Sequence, residues 1–395
     1  MEVSVVLTFH LTQSSSCHHL IDDCKQYEDD SYIFRTSVLL TTPMTAQIPT
    51  TTRSYYFPTR GSYKNLVLQT TPLPALRSTN VLVKIHAVSL QYRDLIVASG
   101  QYRISRVQDN LVPCSDMAGE VIATGSDVTR WKVGDRVCAN FSTDHLDGDV
   151  TAEILDTSLG GGQHGVLTEY KAFPDYCLVR IPEHLSYEEA STLPCAALTA
   201  YNALLGPKPV KAGDSVLILG TGGVSTFGLQ LAVASGATVI TTSSSDAKLA
   251  IAKKLGAAHT INYNTTPDWD KEVLRLTEGR GVDHILEVGG PGTLEKSIAS
   301  VRYAGYIHII GFVAQNPAAL TSVIGPCIGK AITLRGILIG SVAQFESMNR
   351  LLRAHPEITR PVIDKVFKFE EAIEAYAYLE SQKHVGKVVI QVESE

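Results

Sequence analysis

The sequence predicts a two-domain α/β protein, a compact antiparallel β-barrel followed by a doubly wound parallel sheet. Three observations carry this expectation. The chain has 395 residues, more than one hydrophobic core usually organises. Short strand-like runs separated by glycine and proline fill its first half, whereas strand-like runs alternate with amphipathic helical stretches in its second. A glycine-rich turn, "VLILGTGGVS" from Val216 to Ser225, sits where that alternation begins.

Composition narrows the classes of function. With 44% apolar and 19% charged residues the chain reads as a globular protein, and its longest apolar runs are broken well before a membrane span is complete. A net charge of −6 with no basic cluster leaves no footprint for nucleic acid. Seven scattered cysteines, an odd number in a chain too large to need staples, fit a reducing, cytoplasmic compartment.

Residues 1–43 differ from the rest. They hold six acids against two bases, show no periodicity and precede Met44, so they read as a disordered extension. Acidity argues against a transit peptide, and Glu2 without a basic start argues against a secretory signal. Cys17, His18, His19 and Cys24 belong to this tail, and no second ligand pair follows at zinc-site spacing.

The runs "NLVLQT", "NVLVKIHAVSL", "AGEVIATG", "DRVCANF" and "YCLVRIP" supply the barrel over residues 44–185. The long loop Ser142 to Gly165, carrying "LGGGQHG", reads as a lid or lobe. His164 of that loop reads as a solvated side chain rather than a substrate contact. After the helical segment "SYEEASTLPCAALTAYNALL" come "SVLILG", "ATVITT", "HTINY", "VDHILEVGG" and "YIHIIGF". With helices between them, these form a parallel sheet with right-handed crossovers over residues 186–335. The tail 336–395 contains a helix and a strand long enough to return to the first domain.

The glycine-rich turn has the context of a dinucleotide site. Gly220 and Gly222 let the chain bend after a buried strand and let a pyrophosphate lie against amides at a helix N-terminus, with Gly223 and Val224 beside them. Ser225 stands where the third glycine of G-x-G-x-x-G belongs and is small enough for close packing. At the end of the next strand an acid would bind the ribose hydroxyls of NAD, but the chain has Ser243, Ser244 and Ser245, with Lys248 one turn on. Hydroxyls and a cation suit a 2′-phosphate, so NADP(H) is the expected cofactor. The serines also suit the cap of a helix opening at Asp246.

From about Met44 onward the chain resembles the medium-chain dehydrogenase/reductase superfamily, in which a GroES-like domain is joined to a Rossmann domain. The resemblance rests on "AVSLQYRDLIVASGQY", "PCSDMAGEVIATGSDVTRWKVGDRV", "LTAYNALL", "GTGGVSTFGLQLA" and "RGVDHILEVGG" in that order. Within that family it is more similar to the zinc-independent, quinone-oxidoreductase-like branch. Gln91 stands where the zinc branch has a cysteine, Cys114-Ser115-Asp116 replaces Gly-His-Glu, and only Cys138 remains of a four-cysteine lobe. The resemblance therefore implies no zinc and no metal-activated alcohol.

It further implies that Thr199 lies beside the nicotinamide and that Val288, Gly290, Ile310 and Phe312 flank its ribose and carboxamide. Lys387 would reach the phosphates, and Tyr263 would flank the adenosine phosphate with Lys248. Tyr102 matches a cleft-lining tyrosine able to donate to a developing enolate, and Gln91 an amide donor at the vacated metal position. Asp94 and Asp116 match acids behind the metal, and without one they are expected to pair with Arg93 or cap a turn.

The implied activity is NADPH-dependent hydride transfer to a small-molecule enone, enal, quinone or ketone, by a homodimer. An alcohol dehydrogenase tailoring a specialised metabolite is a second reading of the same class. A non-catalytic NADPH-binding protein is a rival from another. A chain begun at Met44 is expected to fold and turn over as the full chain does. Aggregation or loss of cofactor affinity in that shortened protein would show that residues 1–43 belong to the fold.

Overall fold

A computed structural model of the chain describes residues 48–311 and 323–392. The extension 1–43 and Phe312 lie outside the described residues. The described residues lie in one compact unit beginning at Ala46.

The first domain opens with an antiparallel ribbon of β1 (Thr51–Tyr56) and β2 (Val67–Pro72). Strand β3 (Asn80–Ser89) then organises a seven-stranded sheet, because its length allows it to serve three neighbours. It pairs along one edge with β4 (Asp116–Thr124), which leads to β5 (Arg136–Ala139). Its other edge is divided between β6 (Tyr170–Pro174), at Asn80 to Lys84, and the final strand β15 (Lys387–Gln391), at Ala87 to Ser89. Strand β7 (Leu178–Arg180) extends the sheet beyond β5, and β14 (Ile363–Lys368) lies parallel to β15. Val83, Val121, Phe173, Tyr376 and Ile390 belong to the core this fork encloses, so the C-terminal segment completes the first domain.

Helix α1 (Tyr92–Ala98) follows β3 directly, and α2 (Ala152–Leu155) lies in the long loop. Helix α3 (Tyr187–Ser191) starts on a Ser186/Glu189 capping box. The chain then widens into a π-helical turn, Leu193–Ala197, before α4 (Leu198–Leu205).

The second domain is a six-stranded, all-parallel sheet. Its strands are β8 (Ser215–Leu219), β9 (Thr238–Ser243), β10 (His259–Asn262), β11 (Val282–Glu287), β12 (Val301–Ile309) and β13 (Thr333–Gly336). They lie in the order β10-β9-β8-β11-β12-β13. The order reverses between β8 and β11, the place where open α/β sheets bind ligands at their carboxyl ends.

Alternation along β8 explains the two faces. Val216 and Ile218 pack with α4, α5 (Gly223–Ala234) and the helix that follows β13, α10 (Val342–Ala354). Leu217 and Leu219 pack on the other face with α7 (Trp269–Leu276) and α8 (Leu294–Ser300). Helix α6 (Asp246–Lys254) joins β9 to β10, α9 (Ile324–Lys330) precedes β13, and α11 (Ala372–Glu380) precedes β15. Ala118, Cys138 and Val179 of the first domain share one buried cluster with α4 and α5, so the two domains meet through apolar packing. Among the described residues no helix is long and apolar enough to cross a membrane.

Candidate active site

The turn after β8 is shaped for a ligand. Gly220 has φ +75°, which favours glycine, and Gly222 caps α5 with non-helical backbone and no side-chain bond. A Cβ at Gly222 would meet no atom within 4 Å, so the protein itself leaves that space open. Ser225 does more than substitute for a glycine, because its Oγ donates to Leu219 O at 2.7 Å and ties the helix start to the strand end. At Gly223 a Cβ would come within 2.5 Å of Lys387 Cδ, so the lysine stem passes directly over the helix N-terminus.

Across the switch point, β11 and β12 end side by side. Glu287 is fully buried and accepts from Gly289 N, Gly290 N, Thr293 Oγ1 and Ser297 Oγ. This fixes the Val288–Gly290 turn, while Ile310 N donates to Glu287 O at 2.9 Å. Thr199 is the second residue of α4, with its Oγ1 buried and without a hydrogen-bond partner. A buried hydroxyl left unmatched costs about 1–3 kcal/mol, so this side chain is available to a ligand.

At the end of β9, Ser243 is buried, Ser244 is exposed and Ser245 occupies the N-cap of α6 without making a capping bond. Among the described residues none of the three hydroxyls has a protein partner. Tyr263 is 40% exposed next to them, its N–H donating to Ser243 O. Lys248 is placed differently from the expectation, since its Nζ donates to Gln382 O at 2.7 Å and His384 O at 3.1 Å. It thereby holds the loop before β15 against α6.

Lys387 also departs from its expected place. Its buried Nζ donates to Leu90 O and faces the carboxylates of Asp116 and Asp94. Asp116 Oδ2 accepts from Gln91 Nε2 at 2.5 Å and Cys195 N at 3.0 Å, and Oδ1 from Ser115 Oγ. The expected pairing with Arg93 is absent, because Arg93 donates to Leu159 O at 2.7 Å instead. Its guanidinium carbon lies 4.8 Å from the Tyr102 ring centroid and 4.6 Å from that of Phe141. Asp94 caps the turn into α1, accepting from Gln91 N at 2.7 Å.

Tyr102 is buried beneath Arg93 and lines a cavity of about 540 Å³. His164 is structural, its Nδ1 accepting from Val112 N. Three features escape sequence reading altogether. The cysteine at 114 adopts φ +67°, a strained buried turn that delivers Ser115 and Asp116. The Cys195 amide reaches Asp116 through the π-helical turn, and Glu287 fastens the turn at Val288.

This donor set does not fit a catalytic zinc. The Gln91 amide and the Ser115 hydroxyl are both committed to Asp116, burial pushes the Cys195 thiol up, and the Lys387 ammonium stands among the same groups. No cluster of three or more potential metal-binding side chains occurs among the described residues.

Two family models match, "Alcohol dehydrogenase GroES-like domain" over residues 77–183 and "Zinc-binding dehydrogenase" over 223–354. A zinc-type alcohol dehydrogenase-like protein of Schizosaccharomyces pombe is 48% identical over 322 residues, covering 80% of this chain and 92% of its own. The chain belongs to the medium-chain dehydrogenase/reductase superfamily. Another member, 2-methylene-furan-3-one reductase of Solanum lycopersicum, is 29% identical over 88% of this chain and 81% of its own. A solved Sinorhizobium meliloti protein described as a candidate alcohol dehydrogenase superposes with a TM-score of 0.80 at 39% identity. That match covers 87% of this chain and all of that one. As a member of this superfamily the protein is an oxidoreductase, built from a GroES-like domain and a Rossmann domain.

The site carries a titration of its own. Burial pushes the Asp94 carboxyl from the ordinary 3.8 up to about 6, and its Oδ1 has no partner. A carboxyl raised in this way contributes stability that is complete below pH 3.8 and lost as the pH rises through 6. Asp94→Asn keeps an acceptor for Gln91 N–H and removes the titration. Relative to the parent, the variant is expected to gain up to about 3 kcal/mol between about pH 4 and pH 7. Urea unfolding of both proteins across that range measures the gain, and parallel profiles would show that Asp94 is charged in the fold throughout.

Proposed function

We propose that the protein is an NADPH-dependent, zinc-free reductase of an activated C=C or C=O, such as an enone, enal, quinone or ketone. The open glycine turn at the switch point of the parallel sheet, together with the buried, unpartnered Thr199 hydroxyl, is the observation that carries this reading. When bound, the cofactor supplies the hydride.

The chain's own residues supply the remainder. Thr199 offers a donor in a dry setting, where an unspent hydroxyl orients a ligand most strongly. Glu287 keeps the opposite wall rigid through its four accepted bonds. Tyr102 donates from its hydroxyl to oxygen as negative charge develops there, and Arg93 stacked on its ring fixes it and adds positive charge behind it. The uncommitted hydroxyls of Ser243 to Ser245, with no carboxylate at the end of β9, favour a 2′-phosphate over bare ribose hydroxyls.

Calorimetric titration tests the cofactor. NADPH is expected to bind at least about tenfold tighter than NADH, since each charge-assisted bond to phosphate contributes roughly 1.5–3 kcal/mol. Ser243→Asp moves the preference toward NADH, and Lys248→Ala weakens NADPH alone if its ammonium turns to the phosphate. Equal affinity of the parent for both cofactors overturns the NADPH reading. An equal loss for both on Lys248→Ala assigns the lysine to clamping the 382–384 loop.

Elemental analysis tests the metal. Purified protein is expected to hold well under one zinc per chain and to keep its enone reductase activity in chelator. One tightly held zinc whose removal abolishes turnover contradicts the zinc-free reading.

A further inference from the structure

We infer that the acceptor carries a densely anionic group, of phosphate or polycarboxylate type, and that Arg60, Arg103 and Arg106 receive it. The inference rests on the reading that Tyr102 faces the acceptor, because these three arginines line the same cavity of about 540 Å³ as Tyr102. The cavity lies between the segment 102–107, Arg60 and α2.

The wall of this cavity gathers three guanidinium groups that no carboxylate answers. Of the sixteen described arginines, the eight at 53, 130, 180, 275, 280, 302, 353 and 360 are paired with carboxylates and the other eight are not. Among the described residues, Arg60, Arg103 and Arg106 have no ion-pair partner, although the chain carries a net charge of −6. One carboxylate, Asp156, shares the cavity wall with them, which leaves three guanidinium groups facing one acid. Three like charges brought together without partners raise the local potential, and an anion relieves it. Guanidinium groups also match the planar oxygen pairs of phosphate and carboxylate.

One of the three is already held in place. Arg103 Nη1 donates to Gly100 O at 2.9 Å and Tyr102 O at 3.3 Å, which fixes its fork beside the tyrosine and lowers the ordering cost of binding. Ile104, 48% exposed on the same wall, adds an apolar contact for whatever links the anionic end to the reacting carbons. The site belongs to the first domain and is separate from the serines at the end of β9 that are proposed to read the cofactor phosphate.

The test uses the full-length protein saturated with its nicotinamide cofactor. Calorimetric titration with inorganic pyrophosphate and with citrate is expected to show binding. The triple variant R60A/R103A/R106A is expected to lose it, by roughly tenfold or more for each guanidinium that contacts the anion. Tighter pyrophosphate identifies a phosphate source, and tighter citrate a carboxylate one. In parallel, kcat/KM for crotonyl-coenzyme A is expected to exceed that for the neutral but-3-en-2-one, and the triple variant to collapse that difference. Turnover of but-3-en-2-one with neither anion bound, or anion binding unchanged in the triple variant, overturns the inference and leaves the reductase reading standing. Arginine-dependent anion binding with no enone reduced supports the anion site and overturns the reductase reading instead.

Discussion

The buried carboxylate of Asp116 holds the two domains in register. It sits at the start of β4, and besides its neighbour Ser115 its donors come from elsewhere in the chain: the side chain of Gln91 before α1 and the backbone of Cys195 in the π-helical turn before α4. The Lys387 ammonium at the start of β15 faces it. A charge removed from water survives only if its lone pairs are filled and its sign is answered, and here both conditions are met by residues from different elements. The position of Thr199, one turn beyond Cys195, and the path of Lys387 over Gly223 follow from where Asp116 can be satisfied.

Much of the fold was legible because its signals are local. The alternation of apolar strands with amphipathic helices requires only neighbouring residues to be read, and the observed order β10-β9-β8-β11-β12-β13 is the doubly wound arrangement it implies. The glycines at 220 and 222 announce their turn in the same way, and Ser225 shows why a third glycine is dispensable: its hydroxyl closes onto Leu219.

The site was legible only as a set of positions. What each side chain does depends on partners far along the chain, such as those of Asp116, drawn from 25 and 79 residues away. The position of Lys248 after the serines suggests a phosphate ligand, and the family resemblance implies the same of Lys387, yet carbonyls of Leu90, Gln382 and His384 hold them in the structure. The left-handed turn at Cys114 has no signature in the sequence, because cysteine is not a residue that asks for it. Arg93 looked like a partner for acids, and the two aromatic rings that hold it come from separate loops.

The loop between α11 and β15 touches the nucleotide domain twice, through Lys248 and through Gly386 N, which donates to Thr221 O in the glycine-rich turn at 3.0 Å. That loop ends in a strand the first domain cannot do without, since β15 fills one edge of β3. One segment therefore joins the glycine-rich turn to the sheet of the first domain, so a change at either would be felt at the other. Whatever firms the end of the chain would then make a dinucleotide at this turn easier to hold, and the dinucleotide would in turn protect the end of the chain. A tag or truncation at the C-terminus would then reach the glycine-rich turn through this one segment.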